Sequence, residues 1–272
     1  MRYLTIEWLK LKYYKIFWIL SILYVLGMVI VGGSWMFLME FLKNQGASFE
    51  GIDPTVLPLY DFPDVWQNMS YIATYFNVFP SFIVVISMTN EFSYRTLRQN
   101  IIDGLSREQF LLSKLSLIVG MTLLAMVVVF FLAFFTGLVY AKDPSFSLIT
   151  QDLFFIPTLG LTVFLYCSFA LLVSLLLKRS GFTIVLLFMY TLIFEPFTVL
   201  NFEHNPFLPG FFKTIAPYMP VEAINNLIHV PFQKYIFQEI QDYLTFSEVF
   251  AAIVWAFVYW GLIYWIVRRK DL

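Results

Sequence analysis

Among the residues able to do chemistry in this chain, one acid stands inside strongly apolar sequence: Glu195, with Thr191 four residues before it, Thr198 three after it and Pro196 beside it. A second polar series, Ser70, Thr74, Asn77 and Ser81, recurs at i, i+4, i+7 and i+11, which puts all four on one helical face, and Pro80 can bend that helix nearby. Such groups can line a path for a polar solute, or they can hydrogen-bond between helices, a common use of Ser, Thr and Asn in apolar bundles. Both readings stand at this point. Covalent chemistry is a poor match. The chain has no G-x-x-x-x-G-K-[ST] loop, no G-x-G-x-x-G, no H-E-x-x-H and no G-x-S-x-G. Catalysis at apolar depth would require His, Cys or paired carboxylates, and only Glu195 is a plausible ionisable group there. Cys167 is the sole cysteine, so no intramolecular disulfide or cysteine metal cluster is expected, and His204 and His229 are far from any second cysteine or paired carboxylate motif. No activity as an enzyme and no bound cofactor is expected of this chain.

The elements that must position these residues follow from composition. Of 272 residues 60% are hydrophobic and only 13% charged, against roughly 45–50% apolar and about 25% charged in soluble domains. The bilayer is therefore the expected solvent for most of the chain. We place six spans near residues 16–39, 69–89, 111–139, 154–177, 182–200 and 247–267, each long enough to cross about 30 Å of hydrocarbon at 1.5 Å per residue. No internal repeat or interdomain linker interrupts them, so residues 1–272 are read as one all-α membrane domain. Glu195 lies 14 residues past Gly181, about 21 Å along a helix. That depth leaves it protonated, paired, facing a wet cavity, or simply at headgroup level where the helix ends. An ionised carboxylate at mid-membrane costs about 3 kcal/mol on insertion scales.

Residues 1–15 read as an interfacial helix, with Tyr3, Glu7, Lys10 and Tyr14 on one narrow polar stripe flanked by Leu4, Trp8 and Leu11. The alternative is the end of the first spanning helix. Although basic at its start, this segment lacks a small-residue cleavage site behind a short apolar core and is expected to be retained. Residues 90–110 form a polar loop; from Glu91 to Lys114 it carries Arg95, Arg98, Arg107 and Lys114 against Glu91, Asp103 and Glu108. With both termini inside, residues 1–15, 90–114, 178–181 and 268–272 hold 13 of the 17 Lys and Arg but five of the 18 acids. That bias predicts a cytoplasmic location for those four pieces. Residues 201–246 are apolar but punctuated by Pro206, Pro209, Pro217, Pro220 and Pro231, so they are expected to form short re-entrant or capping helices.

Several local patterns carry a family resemblance across essentially the whole chain. They are the amphipathic start, the six spans, Glu91-Phe92, Thr96-Leu97-Arg98-Gln99, Gly104-Leu105-Ser106-Arg107 followed by Lys114, and Tyr218-Met219-Pro220-Val221-Glu222-Ala223 before the last span. Together they resemble the permease subunits of ABC-2 type ABC transporters, mostly bacterial exporters of the cytoplasmic membrane. The resemblance implies a cytoplasmic coupling helix within 90–110, in which Glu91, Thr96, Arg98, Gly104 and Arg107 serve contact with a separate ATPase subunit. It also implies two copies of that ATPase, which would bind ATP and Mg, and a second permease chain, same or different. The second and fifth spans would line the translocation path, which favours Ser70, Thr74, Asn77, Ser81, Thr191, Glu195 and Thr198 as its polar wall. Membrane lipid is an expected partner and nucleic acid is not. An amphipathic cargo such as an antibiotic, peptide or lipid-linked molecule is expected. Two other classes fit parts of the pattern: an ATP-independent channel or carrier, which should show more embedded charge or inverted repeats, and a non-transporting scaffold or sensor that recruits a cytoplasmic protein through the same loop.

Overall fold

The computed structural model describes residues 2–46, 59–96, 99, 102, 104–142, 144–231 and 244–269, and among these every regular element is helical. In chain order they are α1 (Arg2–Lys12), α2 (Lys15–Asn44), α3 (Asp64–Phe76), α4 (Val78–Ser93), α5 (Arg107–Tyr140), α6 (Phe146–Thr150) and α7 (Phe155–Leu177). After these come α8 (Ser180–Met189), a π turn (Tyr190–Phe194), α9 (Glu195–His204), α10 (Gly210–Ile215), a 3-10 turn (Ala216–Tyr218), α11 (Glu222–Asn225) and α12 (Phe246–Arg269). Among the described residues six stretches are long and apolar enough to cross a membrane: Lys15–Ser34, Asp64–Ser93, Arg107–Tyr140, Phe146–Leu177, Ser180–His204 and Phe246–Arg269.

Local chemistry explains where these helices start, break and bend. Ser106 begins α5 with a capping box: its Oγ accepts the Gln109 N–H at 3.2 Å, and Gln109 Oε1 accepts the Ser106 N–H at 3.0 Å, satisfying two donors the helix end would leave bare. Gly104, two residues upstream, has φ +93°, a turn geometry that costs a side-chain-bearing residue about 1 kcal/mol or more. Pro80 has no N–H to give the carbonyl of Phe76, and the second span breaks there into α3 and α4 at Asn77. Pro196 likewise leaves the carbonyl of Leu192 without its usual donor. The fifth span widens into the π turn just before it, and the Glu195 N–H reaches the Tyr190 carbonyl.

The hub is α7, packed against α3, α4, α5 and α12, with Leu159, Leu165 and Leu171 fully buried. Close approach to α5 depends on Gly160: a Cβ there would stand 2.5 Å from Met126 Sδ, the small-residue contact that lets membrane helices pack without help from water. Outward faces of α2, α8, α9 and α12 are apolar and exposed, as at Ile22, Val185, Phe197 and Phe257. Short helices α10 and α11 and the 3-10 turn between them cover the bundle instead of crossing it. Ala216, Val221, Ala223 and Ile224 are buried, and Trp255 Nε1 of α12 donates to the Tyr218 carbonyl at 2.9 Å.

The amphipathic first helix is present, but its polar stripe does not face headgroups throughout. Glu7 is buried together with Leu11, while Trp8 is half exposed and sets its ring edge-on to Phe17 and Trp18. The physical reason lies on the neighbouring helices, where a basic side chain meets that carboxylate.

Candidate functional site

Among the described residues, buried charge gathers at one end of the bundle and a polar-walled cavity lies in the other half. At the end that carries α1, the start of α5 and the last turn of α12, four charges from three elements meet. Lys114, 1% exposed, places Nζ 2.9 Å from Glu7 Oε1 and 3.1 Å from Glu91 Oε1. Lys10 Nζ adds a second cation to Glu91 Oε1 at 2.7 Å. Ser87 accepts from Lys114 and donates to Glu7, and Ser113 donates to the other Glu7 oxygen. Thr96 Oγ1 donates to Glu91 Oε2 at 2.5 Å. Two acids balance two bases, and each carboxylate also accepts from hydroxyl donors. A buried ion pair is tolerable under that condition, because desolvation otherwise outweighs the attraction. The construction ties α1 to α4 and α5, and through Thr96 it fixes the first residues of the loop leaving the membrane.

The resemblance-derived loop residues fall into place unequally. Glu91 is the hub of the cluster and Thr96 bonds to it; Gly104 supplies the positive-φ turn before α5. Arg107 reaches across to the other terminus, its Nη1 donating to the carbonyls of Val267 at 2.9 Å and Arg268 at 2.6 Å, a favourable place for a cation at a helix C-terminus. Arg98, with Leu97, Ile101 and Asp103, lies outside the described residues. Sequence reasoning missed Glu7, Lys10, Ser87, Ser113 and Lys114 as one unit. A signal was present: Ser87 and Glu91 are four apart at the end of an apolar helix, and Glu7 and Lys10 are three apart on another, so each pair shares a face.

The second construction is a cavity of about 410 Å³ in the other half of the bundle. Asn77, on its wall, is 14 residues from Glu91, roughly 21 Å along the span. Thr74 and Asn77 at the α3–α4 break face Thr191 of the π turn across it, and α7 contributes Thr162 and Tyr166. Its outer wall is the short-helix segment, with Glu222, Asn225, Asn226 and His229. Asn77 is 4% exposed, and its Oδ1 has no hydrogen-bond partner among the described residues. His229 Nε2 lies 3.2 Å from Glu248 Oε1.

Thus three of the seven residues of the two sequence stripes, Thr74, Asn77 and Thr191, line one space. The other four do not. Ser70 and Ser81 are fully buried, and each hydroxyl donates to a backbone carbonyl, that of Phe155 and that of Val78. Thr198 bonds within its own helix. Glu195 is 2% exposed, and its Oε1 accepts the N–H groups of Val221 at 2.5 Å and Glu222 at 2.8 Å. It therefore pins the short-helix segment to the fifth span by the backbone at the start of α11. Glu222, outside the spans, has its carboxyl pushed above the ordinary carboxylate range, first by burial and then by the negative charges of Glu195 and Glu203. No group of three or more His, Cys, Asp or Glu able to hold a metal ion exists among the described residues.

A helical bundle with six membrane-capable helices among the described residues defines a multi-pass membrane protein. Residues 2–272 match the family model described as ABC-2 family transporter protein, and the chain belongs to that family. No curated protein and no solved structure matches it significantly.

Proposed function

We propose that this chain is the permease subunit of an ABC-2 exporter, and that the loop from Tyr94 to Leu105 docks into a separate ATPase subunit whose closure it transmits to the spans. The observation that carries this reading is the buried cluster of Glu7, Lys10, Glu91 and Lys114. It clamps the root of the loop to three membrane elements at once, so a push on the loop moves α1, α4 and α5 together. Arg107 extends the same linkage to the end of α12. The surplus of Lys and Arg at this end supports a cytoplasmic location for it and for both termini. Thr74, Asn77 and Thr191 belong to the translocation path, and Glu195 holds the cover over it. Two permease chains, with two ATPase subunits binding ATP and Mg, would complete the exporter in a bacterial cytoplasmic membrane.

Ile102 offers a clean test, because it is 74% exposed and on the loop. Surface substitutions away from structural features stay within about 0.5 kcal/mol, so Ile102→Asp should leave the melting temperature unchanged. Purified from native membranes in mild detergent, the wild type is expected to bring an ATPase carrying a phosphate loop, and Ile102→Asp at least tenfold less of it. A partner without an ATP site would favour the scaffold reading. The absence of any soluble partner would favour a carrier.

A further inference from the structure

The wall of the 410 Å³ cavity has a one-sided chemistry. Among the described residues no lysine or arginine lines it, whereas Glu222 does, and Glu195 and Glu203 lie close enough to press on Glu222 electrostatically. The one imidazole among those lining residues, His229, already faces the carboxylate of Glu248. Around these stand acceptor groups and aromatic faces: Thr74, Thr191, Tyr71, Tyr75, Tyr166 and Phe188. Asn77 also belongs to this wall, but its unpartnered amide oxygen is closed off within the protein. An anion would meet carboxylates without a compensating cation. A cation would meet a carboxylate and aromatic faces, which attract positive charge. The volume falls within the usual range of small-molecule pockets, about 300–1,000 Å³, and the apolar part of the wall, with Val78, Leu192 and Ile228, suits a hydrophobic body.

We propose that this cavity receives the cationic end of an amphipathic organic cargo, an ammonium, guanidinium or related head on an apolar or aromatic body, and rejects anionic and phosphate-headed cargo. The proposal rests on the permease reading and narrows its substrate class. Glu222 supplies the charge and the tyrosines the aromatic faces.

Tetraphenylphosphonium and tetraphenylborate make a matched probe pair, alike in shape and opposite in charge. Saturable, displaceable binding of each is measured on the purified full-length permease in detergent, with Glu222→Gln and Asn225→Lys as variants. Asn225 is exposed on the same wall, so the lysine brings a cation beside Glu222 without opening the core. The phosphonium is expected to bind saturably to the wild type and to lose at least tenfold in affinity in each variant. The borate is expected to show no component that Glu222→Gln weakens. Equal or preferred binding of the borate, no saturable phosphonium binding, or phosphonium binding indifferent to both variants overturns the proposal. Because binding is read on the permease alone, such a result leaves ATPase co-purification standing; loss of that co-purification would instead remove the permease reading.

Discussion

Lys114→Met is expected to be the most damaging single substitution in the chain. It takes from Glu7 and Glu91, each 3% exposed, the buried cation they share, and leaves Glu91 with Lys10. Breaking a buried pair by removing one partner costs about 3–5 kcal/mol, and in a chain of this size that is a fall of about 10 °C in the melting temperature. Lys10→Ala removes the same formal charge, but Lys10 is 37% exposed and water can replace it, so its cost is expected to stay below about 1 kcal/mol. Neutralising the acids as well, in Glu7→Gln/Glu91→Gln/Lys114→Met, should recover most of the loss. Intrinsic fluorescence melting of the four proteins in one detergent checks the ranking. Equal effects of Lys114→Met and Lys10→Ala would show that burial of the cluster is not what matters.

Glu195→Leu has the second largest expected effect. It deletes the acceptor for two N–H groups, one buried and one partly buried, each of which costs about 1–3 kcal/mol when left without a partner. Glu195→Gln keeps an oxygen in the same place and is expected to be mild, within about 1 kcal/mol. The readout that separates this from general destabilisation is local: amide hydrogen exchange across residues 216–228 should accelerate strongly in Glu195→Leu and little in Glu195→Gln, while exchange in α7 stays slow in both. If α7 and the short helices speed up together, Glu195 supports the whole bundle and not its cover.

The sequence makes the bundle legible because membrane helices announce themselves locally. A run of apolar residues needs no partner to be recognised, and Pro80 and Pro196 mark the two irregular places because a missing N–H acts on its own helix. What periodicity cannot decide is which way a polar face turns. The stripe of Glu7 and Lys10 would look the same whether it met headgroups or Lys114, and Lys114 is 107 residues from Glu7, so the pairing is a tertiary fact. Glu195 is conspicuous in the sequence, but its Oε1 accepts from backbone N–H groups at Val221 and Glu222, which carry no side-chain signature. The Ser70 to Ser81 stripe divides for a related reason. Spacing puts four residues on one face, but the break at Asn77 opens the cavity beside Thr74 and Asn77 alone, while Ser70 and Ser81 stay packed between helices and bond to carbonyls.

Ile102→Cys shows whether the loop rooted on Glu91 is the contact with an ATPase. The native Cys167 is completely buried, so a thiol cross-linker applied to native membranes would report the introduced thiol. A single cross-linked product that joins this chain to an ATP-binding subunit and arrests ATP turnover is expected. Free labelling of the introduced thiol without a protein adduct, in membranes where the chain still co-purifies with an active ATPase, would contradict it.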